Sequence, residues 1–449
     1  MKKVFGTDGI RGLANRYPMT PEMALSIGQA TAVYFTKNSK YKKVIIGKDT
    51  RRSSYMFEYA LCAGLSSMGM ESILTGPVPT PAIAYLTQYL KADAGIMISA
   101  SHNSFEDNGI KFFDAHGYKL PDAAEVEIEK LIFSGIPESI RPQGSDIGRA
   151  IRIDQAPDYY CSYLRSTISK SISFEGLKIV LDCAHGAAYK VAPIILEDMD
   201  ALVFPIGIYP DGTNINKDCG AMHPNAMIQT VKKEKAAIGI ALDGDADRIM
   251  IADENGNLLD GDQILALCAY EKMKDGTLKH QTVVGTVMTN MGLEVYLKSL
   301  GISLVRTSVG DRYIIEEMRK SNFVLGGEPS GHIILMDHST TGDGILAALQ
   351  ILSLMVTTQK PLSELVQQMS MYPQKMKNIR VKERKNIAEV SPIQKSLKEA
   401  SDELGDEGRV VLRYSGTEPL LRIMVEAKNQ LLVDKYLSRI EEAVRVNLS

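Results

Sequence analysis

Three short polar loops carry most of the reactive side chains in this sequence. The first, Ser99-Ala100-Ser101-His102-Asn103, ends the apolar run Ala94-Gly95-Ile96-Met97-Ile98 and precedes Asp107-Asn108-Gly109-Ile110-Lys111-Phe112-Phe113. A buried strand fixes the backbone and the loop after it exposes side chains, so two hydroxyls and an imidazole at a strand end are placed to present a nucleophile. Ser101 beside His102 is the candidate. Taken alone, the same pentapeptide also reads as a turn whose side chains cap backbone groups.

In the second loop Asp243, Asp245 and Asp247 alternate with Gly244 and Ala246, a spacing that sets three carboxylates on one side of an extended segment. Such close anions repel unless a hard cation neutralises them, and oxygen-only ligands favour Mg²⁺ or Ca²⁺ over zinc. Glu254 falls where an EF-hand has its last ligand, but Arg248 stands where that loop needs Gly. The flanking Ile240-Ala241-Leu242 and Ile249-Met250-Ile251-Ala252 also read as strands.

Glu328, Ser330 and His332 form the third loop and offer an acceptor, a donor and an acid/base group, which suits the hydroxyls of a sugar. Further on, Arg413, Ser415, Gly416, Thr417 and Arg422 make an anion cradle of hydroxyls, backbone amides and guanidinium groups fit for bidentate phosphate contact. The alternative there is a surface hairpin with ordinary salt bridges. Gly342-Asp343-Gly344 matches a weak dinucleotide fingerprint but reads better as a helix N-terminus capped near Asp343.

The elements that must position these loops follow from composition and pattern. A chain of 449 residues is too long for one core and divides into three or four domains. With 45% hydrophobic and 23% charged residues it is an ordinary globular composition. The net charge of −3 gives no basic field for nucleic acid or an anionic membrane, so phosphate binding must be local. The N-terminus lacks an apolar signal core and Ile345 to Val356 is too short to span a bilayer, which predicts a cytoplasmic protein. The cysteines Cys62, Cys161, Cys183, Cys219 and Cys268 are odd in number and scattered, as reduced buried thiols are. A zinc site from Cys183, His185, Cys219 and His223 is disfavoured by the one-residue spacer of its first pair.

Thr20-Pro21 opens an amphipathic helix, and strand then helix recurs from Val44 onward. The strands Val44-Gly47, Ile179-Asp182 and Val283-Thr286 align as first members of a threefold βαβαβ pattern. Each third strand ends in one of the three polar loops, and each loop lies between two strands. If the repeat holds, three equivalent loops face one cleft. Beyond Tyr372-Pro373 and the charged Lys382 to Lys385 a smaller α+β domain follows, with strands Gly408 to Tyr414 and Leu421 to Ala427.

These stretches, together with Phe5-Gly6-Thr7-Asp8-Gly9-Ile10-Arg11-Gly12, resemble the α-D-phosphohexomutase superfamily over nearly the whole chain, most closely its bacterial amino-sugar members. The resemblance implies an α/β fold: three similar mixed-sheet domains plus a smaller C-terminal domain around a central cleft. Their expected limits are 1–152 for the phosphoserine loop, 153–253 for the metal loop, 254–370 for sugar recognition and 371–449 for phosphate binding.

The resemblance also implies that Ser101 carries a phosphoryl group and that, with it, Asp243, Asp245 and Asp247 hold one Mg²⁺. Arg11, Lys111 and Arg248 would neutralise charge, and His102, Lys111 and His332 would share acid and base roles. Glu328, Ser330 and His332, with Arg413, Ser415, Gly416, Thr417 and Arg422, would bind substrate. The implied reaction interconverts the 6- and 1-phosphates of glucosamine through a bisphosphate and feeds the amino-sugar supply of the cell wall. The partner is then a hexosamine phosphate, not nucleic acid or membrane, and a homodimer is compatible with this reading.

The sequence departs from the family pattern at Ser104, Ala246, Pro329 and Tyr414. Position 329 lies in the sugar loop, which keeps mannose and glucose phosphates open as substrates. A metal-dependent sugar phosphatase and a non-catalytic sugar-phosphate-binding protein are the remaining alternatives.

Overall fold

Aliphatic and β-branched runs form the strands, and polar turns with Gly or Pro end them. In the computed structural model, which describes residues 4–6, 8–36, 41–382, 384–414 and 420–448, the first sheet has seven strands. They are β1 (Phe5–Gly6), β2 (Gly9–Leu13), β3 (Lys43–Lys48), β4 (Glu71–Pro77), β5 (Ala94–Ile98), β6 (Asp107–Asp114) and β7 (Ala150–Arg152), in the order β1-β2-β6-β5-β3-β4-β7.

The second sheet is β12-β11-β10-β8-β9, from β8 (Lys178–Asp182), β9 (Leu202–Ile206), β10 (Ile238–Leu242), β11 (Ile249–Asp253) and β12 (Leu258–Leu259). The third is β14-β13-β15-β16, from β13 (Thr282–Thr286), β14 (Ser303–Thr307), β15 (Leu325–Gly327) and β16 (Ile333–Leu335).

Within each sheet four strands share one order: β6-β5-β3-β4, β11-β10-β8-β9 and β16-β15-β13-β14. In every case the third strand runs parallel to the first and the fourth returns antiparallel to the third. The threefold pattern expected from the sequence is therefore present. Strands β5, β10 and β13 are buried along their whole length, as parallel strands covered by helices on both faces must be. The three polar loops all leave the carboxyl end of a third strand, the end at which open α/β sheets bind ligands.

Helices lock this scaffold at close range. Thr20 caps the helix Pro21–Thr36 by accepting the Met23 N–H at 3.3 Å. That helix crosses Arg52–Ser66 backbone to backbone, because a Cβ on Gly28 would lie 2.6 Å from the Leu61 carbonyl and one on Gly64 2.3 Å from that of Leu25.

Residues Met1–Thr286 and Val305–Gln367 make one compact unit, and Val287–Leu304 with Gln368–Ser449 make another. The second unit is a sheet β17-β19-β18, from β17 (Gln374–Arg380), β18 (Gly408–Tyr414) and β19 (Leu420–Ala427). Helices Ser391–Leu404 and Gln430–Leu448 cover it, burying Ile379, Ile393, Leu421, Ile423, Tyr436 and Ile440. The helix Met291–Ser299 belongs here because Asn290 exchanges two hydrogen bonds with the Tyr372 backbone and the Met291 N–H donates to Glu426 Oε1 at 2.8 Å. Among the described residues no helix is long and apolar enough to cross a membrane.

Candidate active site

The β5–β6 loop holds Ser101 at φ 52°, in the left-handed region, and only 2% exposed. Its Oγ donates to Asp243 Oδ2 at 2.6 Å and lies 3.4 Å from His102 Nδ1. The first loop of the first sheet thus meets the metal loop of the second.

Around it, Asp243, Asp245 and Asp247 bring one oxygen each within 4.8 Å of one another, the only such cluster of His, Cys, Asp or Glu among the described residues. Their meeting does not come from side-chain alternation along an extended segment, as the spacing argument supposed. Residues 243–248 form a compact turn in which Ala246 takes φ 58°, the left-handed conformation that makes Gly the easier residue there. Curling the chain turns all three carboxylates inward.

Mutual repulsion and burial have visible effects. Burial, with Asp247 and Asp245 beside it, pushes the Asp243 carboxyl up to about 8. Lys111, on β6, answers part of this charge: Nζ donates to Asp245 Oδ2 at 2.8 Å and Asp247 Oδ2 at 3.2 Å and lies 3.3 Å from Asp8 Oδ2. Burial opposes its charge, yet Asp245, Asp247 and Asp8 outweigh that and hold the Lys111 pKa well above normal. Asp247 goes the other way: against burial, the charges of Lys111, His332 and Arg248 keep its carboxyl well below the usual range. Oδ1 of Asp245 and Oδ1 of Asp247 are buried with no hydrogen-bond partner. Two unsatisfied carboxylate oxygens in an all-oxygen cluster fit a hard divalent cation.

Arg248 follows the triad and sends Nη1 to within 3.2 Å of His102 Nδ1, while its own N–H donates to Asp243 Oδ1 at 3.3 Å. Burial and the nearby Arg248 and Arg11 guanidiniums lower the His102 pKa to about 4, so this ring is neutral at pH 7. Arg11, on β2, donates to Asp8 Oδ2 at 3.2 Å.

The third sheet contributes His332, 2% exposed, with Nδ1 at 3.9 Å from Asp247 Oδ1 and Nε2 at 3.6 Å from Asp311 Oδ2. The Gly342 N–H donates to Nε2 at 3.2 Å, which assigns the proton of the neutral ring to Nδ1 on the Asp247 side. Against burial, the nearby charges of Asp247 and Asp311 raise the His332 pKa. Gly342 is needed there: a Cβ would fall 2.4 Å from the ring.

Residues 328–331 form a turn closed by Gly331 N–H to Glu328 O at 3.0 Å, with Gly331 at φ 88°. Pro329 occupies its second position, where a fixed φ suits the turn. Glu328 Oε1 accepts the Gly310 N–H at 3.0 Å, and Ser330 Oγ lies 3.5 Å from Glu328 Oε2.

One compact unit therefore gathers Arg11, Ser101, His102, Lys111, Asp243, Asp245, Asp247, Arg248 and His332, with the Glu328–Ser330 turn beside them. Arg413 and Arg422 belong to the second unit, where they are register partners on β18 and β19. Burial and the facing Arg422 lower the Arg413 pKa. Ser415, Gly416 and Thr417 lie outside the described residues. Asp343 caps the helix Gly344–Thr358 through the Leu346 N–H at 2.9 Å, as the sequence suggested. All five cysteines are free and buried.

Sequence reasoning missed Asp8, Thr80, Lys119 and Asp311. Thr80 Oγ1 donates to Asp245 Oδ2 at 2.5 Å, and Lys119 bridges Asp8 and Asp311, tying the β1–β2 turn to the third domain's loop. Asp8 sat inside a quoted motif without a role. Lone residues such as Thr80 and Lys119 have no spacing signal, since only the fold brings their partners near.

Four family models match the chain: the phosphoglucomutase/phosphomannomutase alpha/beta/alpha domains I, II and III over residues 2–138, 158–256 and 260–372, and the C-terminal domain over 376–443. A phosphoglucosamine mutase of Geobacter sp. (strain M21) is 54% identical over 430 residues, covering 96% of this chain and 95% of the relative. One from Pelobacter propionicus is 52% identical over 449 residues, covering 100% and 99%.

Among solved structures, a phosphoglucomutase/phosphomannomutase family protein of Burkholderia thailandensis superposes with a TM-score of 0.84 at 21% identity over 99% of this chain and 98% of the other. The N-acetylphosphoglucosamine mutase of Aspergillus fumigatus, solved with GlcNAc-6P and magnesium, gives 0.67 at 17% identity over 99% and 96%. At those identities the structures attest the fold, while the sequence relatives and the four models attest descent. The chain belongs to the phosphoglucomutase/phosphomannomutase family, the α-D-phosphohexomutases, and within it to the phosphoglucosamine mutases.

Proposed function

We propose that this protein interconverts glucosamine 6-phosphate and glucosamine 1-phosphate through a phosphoserine at Ser101 and a hexosamine bisphosphate, supplying activated amino sugar for the cell wall. The observation that carries it is the 2.6 Å contact between Ser101 Oγ and Asp243 inside a site where Lys111, Arg11 and Arg248 supply positive charge. In the forward half-reaction the bond from phosphorus to Ser101 Oγ breaks, a bond to the anomeric oxygen forms, and the anomeric proton passes to a base. After the bisphosphate reorients, the bond from phosphorus to O6 breaks, Oγ is phosphorylated again, and O6 takes up a proton.

The environments of the titratable groups support a division of labour. Lys111, locked as an ammonium by three carboxylates, stabilises the charge spread over the transferring phosphoryl group. His102, neutral and near Oγ, suits the role of proton acceptor, and His332, held toward the charged form, suits that of donor. Asp243, Asp245 and Asp247, with a phosphoryl oxygen on Ser101, would hold Mg²⁺, which supplies Lewis-acid neutralisation of phosphate charge. Glu328 and Ser330 would meet the sugar hydroxyls.

The test is relative turnover of the 6-phosphates of glucosamine, glucose and mannose, with phosphate release measured in parallel. Glucosamine 6-phosphate should be isomerised fastest, with negligible free phosphate. Faster turnover of mannose or glucose phosphate would move the assignment to a phosphomannomutase or phosphoglucomutase, a reading the Pro329 turn keeps open. Stoichiometric phosphate release would make the protein a phosphatase.

In this reading Arg413 and Arg422 bind the non-reacting phosphate. Arg413 and Arg422 are register partners on adjacent strands, so their two guanidiniums leave the same face of the sheet and suit a phosphate. A charge-assisted phosphate contact contributes about 1.5 to 3 kcal/mol, roughly tenfold to a hundredfold in affinity. Arg413→Ala is therefore expected to raise KM by that factor and release bisphosphate into solution, while Ser101 still carries phosphate. An unchanged KM with loss of Ser101 phosphorylation would remove Arg413 from this role.

A further inference from the structure

Ser101 is held by its backbone as closely as by its side chain. Its N–H donates to Ser99 Oγ at 2.9 Å, and that hydroxyl donates to Asp49 Oδ2 at 2.6 Å. Its carbonyl oxygen receives two side chains: Arg51 Nη2 at 3.0 Å and Asn216 Nδ2 at 2.9 Å. The same two nitrogens reach the Asn103 carbonyl at 2.7 Å and 3.0 Å. A carbonyl has two lone pairs, so the acceptor capacity of the Ser101 oxygen is filled.

The grip comes from separate parts of the fold. Arg51 follows β3 and is wholly buried, with Nε 3.3 Å from Asp49 Oδ2. Asn216 sits in the loop after β9, itself at φ 58°, with its N–H donating to the Ala184 carbonyl at 2.9 Å. The metal loop closes a third side: a Cβ on Gly244 would lie 2.5 Å from the Ser101 oxygen and 2.8 Å from Asn216 Nδ2.

Left to itself, a serine in the left-handed region relaxes toward ordinary helical or extended backbone. That relaxation would swing the Cα–Cβ bond, and Oγ with it, away from Asp243. We propose that Arg51 and Asn216 are positioning residues for phosphoryl transfer, clamping the nucleophile's own carbonyl so that Oγ stays aimed at the aspartate loop. The inference rests on the mutase reading above. It assigns these side chains no contact with substrate. Their effect passes through the backbone of Ser101, so it belongs in kcat and not in substrate affinity.

Asn216→Asp is the sharpest variant because it keeps the shape and replaces a double donor with an acceptor facing two carbonyls. We expect kcat to fall about 10²-fold, the order associated with a displacement near 1 Å at a reacting group. KM and the Mg²⁺ concentration for half-activation should stay within about twofold, and single-turnover phosphorylation of Ser101 by glucose 1,6-bisphosphate, followed by intact mass, should slow in parallel with kcat. Asn216→Ala, which leaves Arg51 in place, should give a smaller loss, and Arg51→Lys, which keeps charge but not the forked reach, a loss like that of Asn216→Asp.

Should Asn216→Asp fail to fold, Asn216→Ala decides by the same split. A variant that folds and keeps wild-type kcat, or loses activity through KM alone, overturns the clamp. Wild-type protein run alongside separates the two readings: if it shows no mutase turnover the proposed function fails, and if it turns over normally the result bears on the clamp alone.

Discussion

Ser101→Ala should abolish mutase turnover and leave a folded protein. The hydroxyl removed is the proposed phosphoryl carrier, and loss of a nucleophile costs on the order of 10⁴-fold or more, because no neighbour can form the covalent intermediate. Structurally the change removes one hydrogen bond to Asp243 and a weak contact to His102, while Arg51 and Asn216 still bind the backbone. The buried carboxylate loses a donor, so a loss of about 1 to 3 kcal/mol is expected, far short of unfolding. Circular dichroism and thermal melting check the fold, a coupled assay checks turnover, and mapping of phosphopeptides locates the phosphate on the parent protein. Phosphate found on another residue, or normal turnover by the variant, would end the covalent role.

The second large effect concerns the aspartate loop. Chelation with EDTA should stop turnover and added Mg²⁺ should restore it, because the site otherwise faces a phosphoryl group with three carboxylates that Lys111 and Arg248 offset only in part. Asp245→Asn should raise the Mg²⁺ requirement beyond about 100-fold, since even residues behind metal ligands cost tenfold to a hundredfold when replaced. Folding should survive, for Lys111 keeps Asp247 and Asp8, and the new amide oxygen can still accept from Thr80. Isothermal titration with Mg²⁺ alone reads the affinity independently of activity. Undiminished turnover in excess chelator would take the metal out of the mechanism.

Much of this arrangement is legible in the sequence alone. The strands β3, β8 and β13 and the loops after β5, β10 and β15 announced themselves because short buried β-branched runs ending in polar clusters are a pattern of sequence neighbours. Asp243, Asp245 and Asp247 were found for the right chemistry and the wrong geometry: spacing shows that carboxylates are close, and only the backbone shows that a left-handed Ala246 curls them together. Arg51 and Asn216 were beyond reach. Neither belongs to a repeated spacing, and the carbonyl they share is a backbone atom that every residue has. The Pro329 departure likewise found its reason only in the turn it opens.

The three polar loops each join a third strand to an antiparallel partner, and that connection governs how such a sequence can change over time. Residue types in the scaffold are free to drift, as the 21% identity shared with a superposable structure attests. Strand register is not. In the first sheet Met97 pairs with Lys111, and a slip of the return strand by one position would turn Lys111 from the aspartates to the opposite face. The same slip after β10 or β15 would displace β11 or the chain behind His332. A change that shifts the pairing of any of these three hairpins thus costs the site its geometry, while the composition of the scaffold tolerates change.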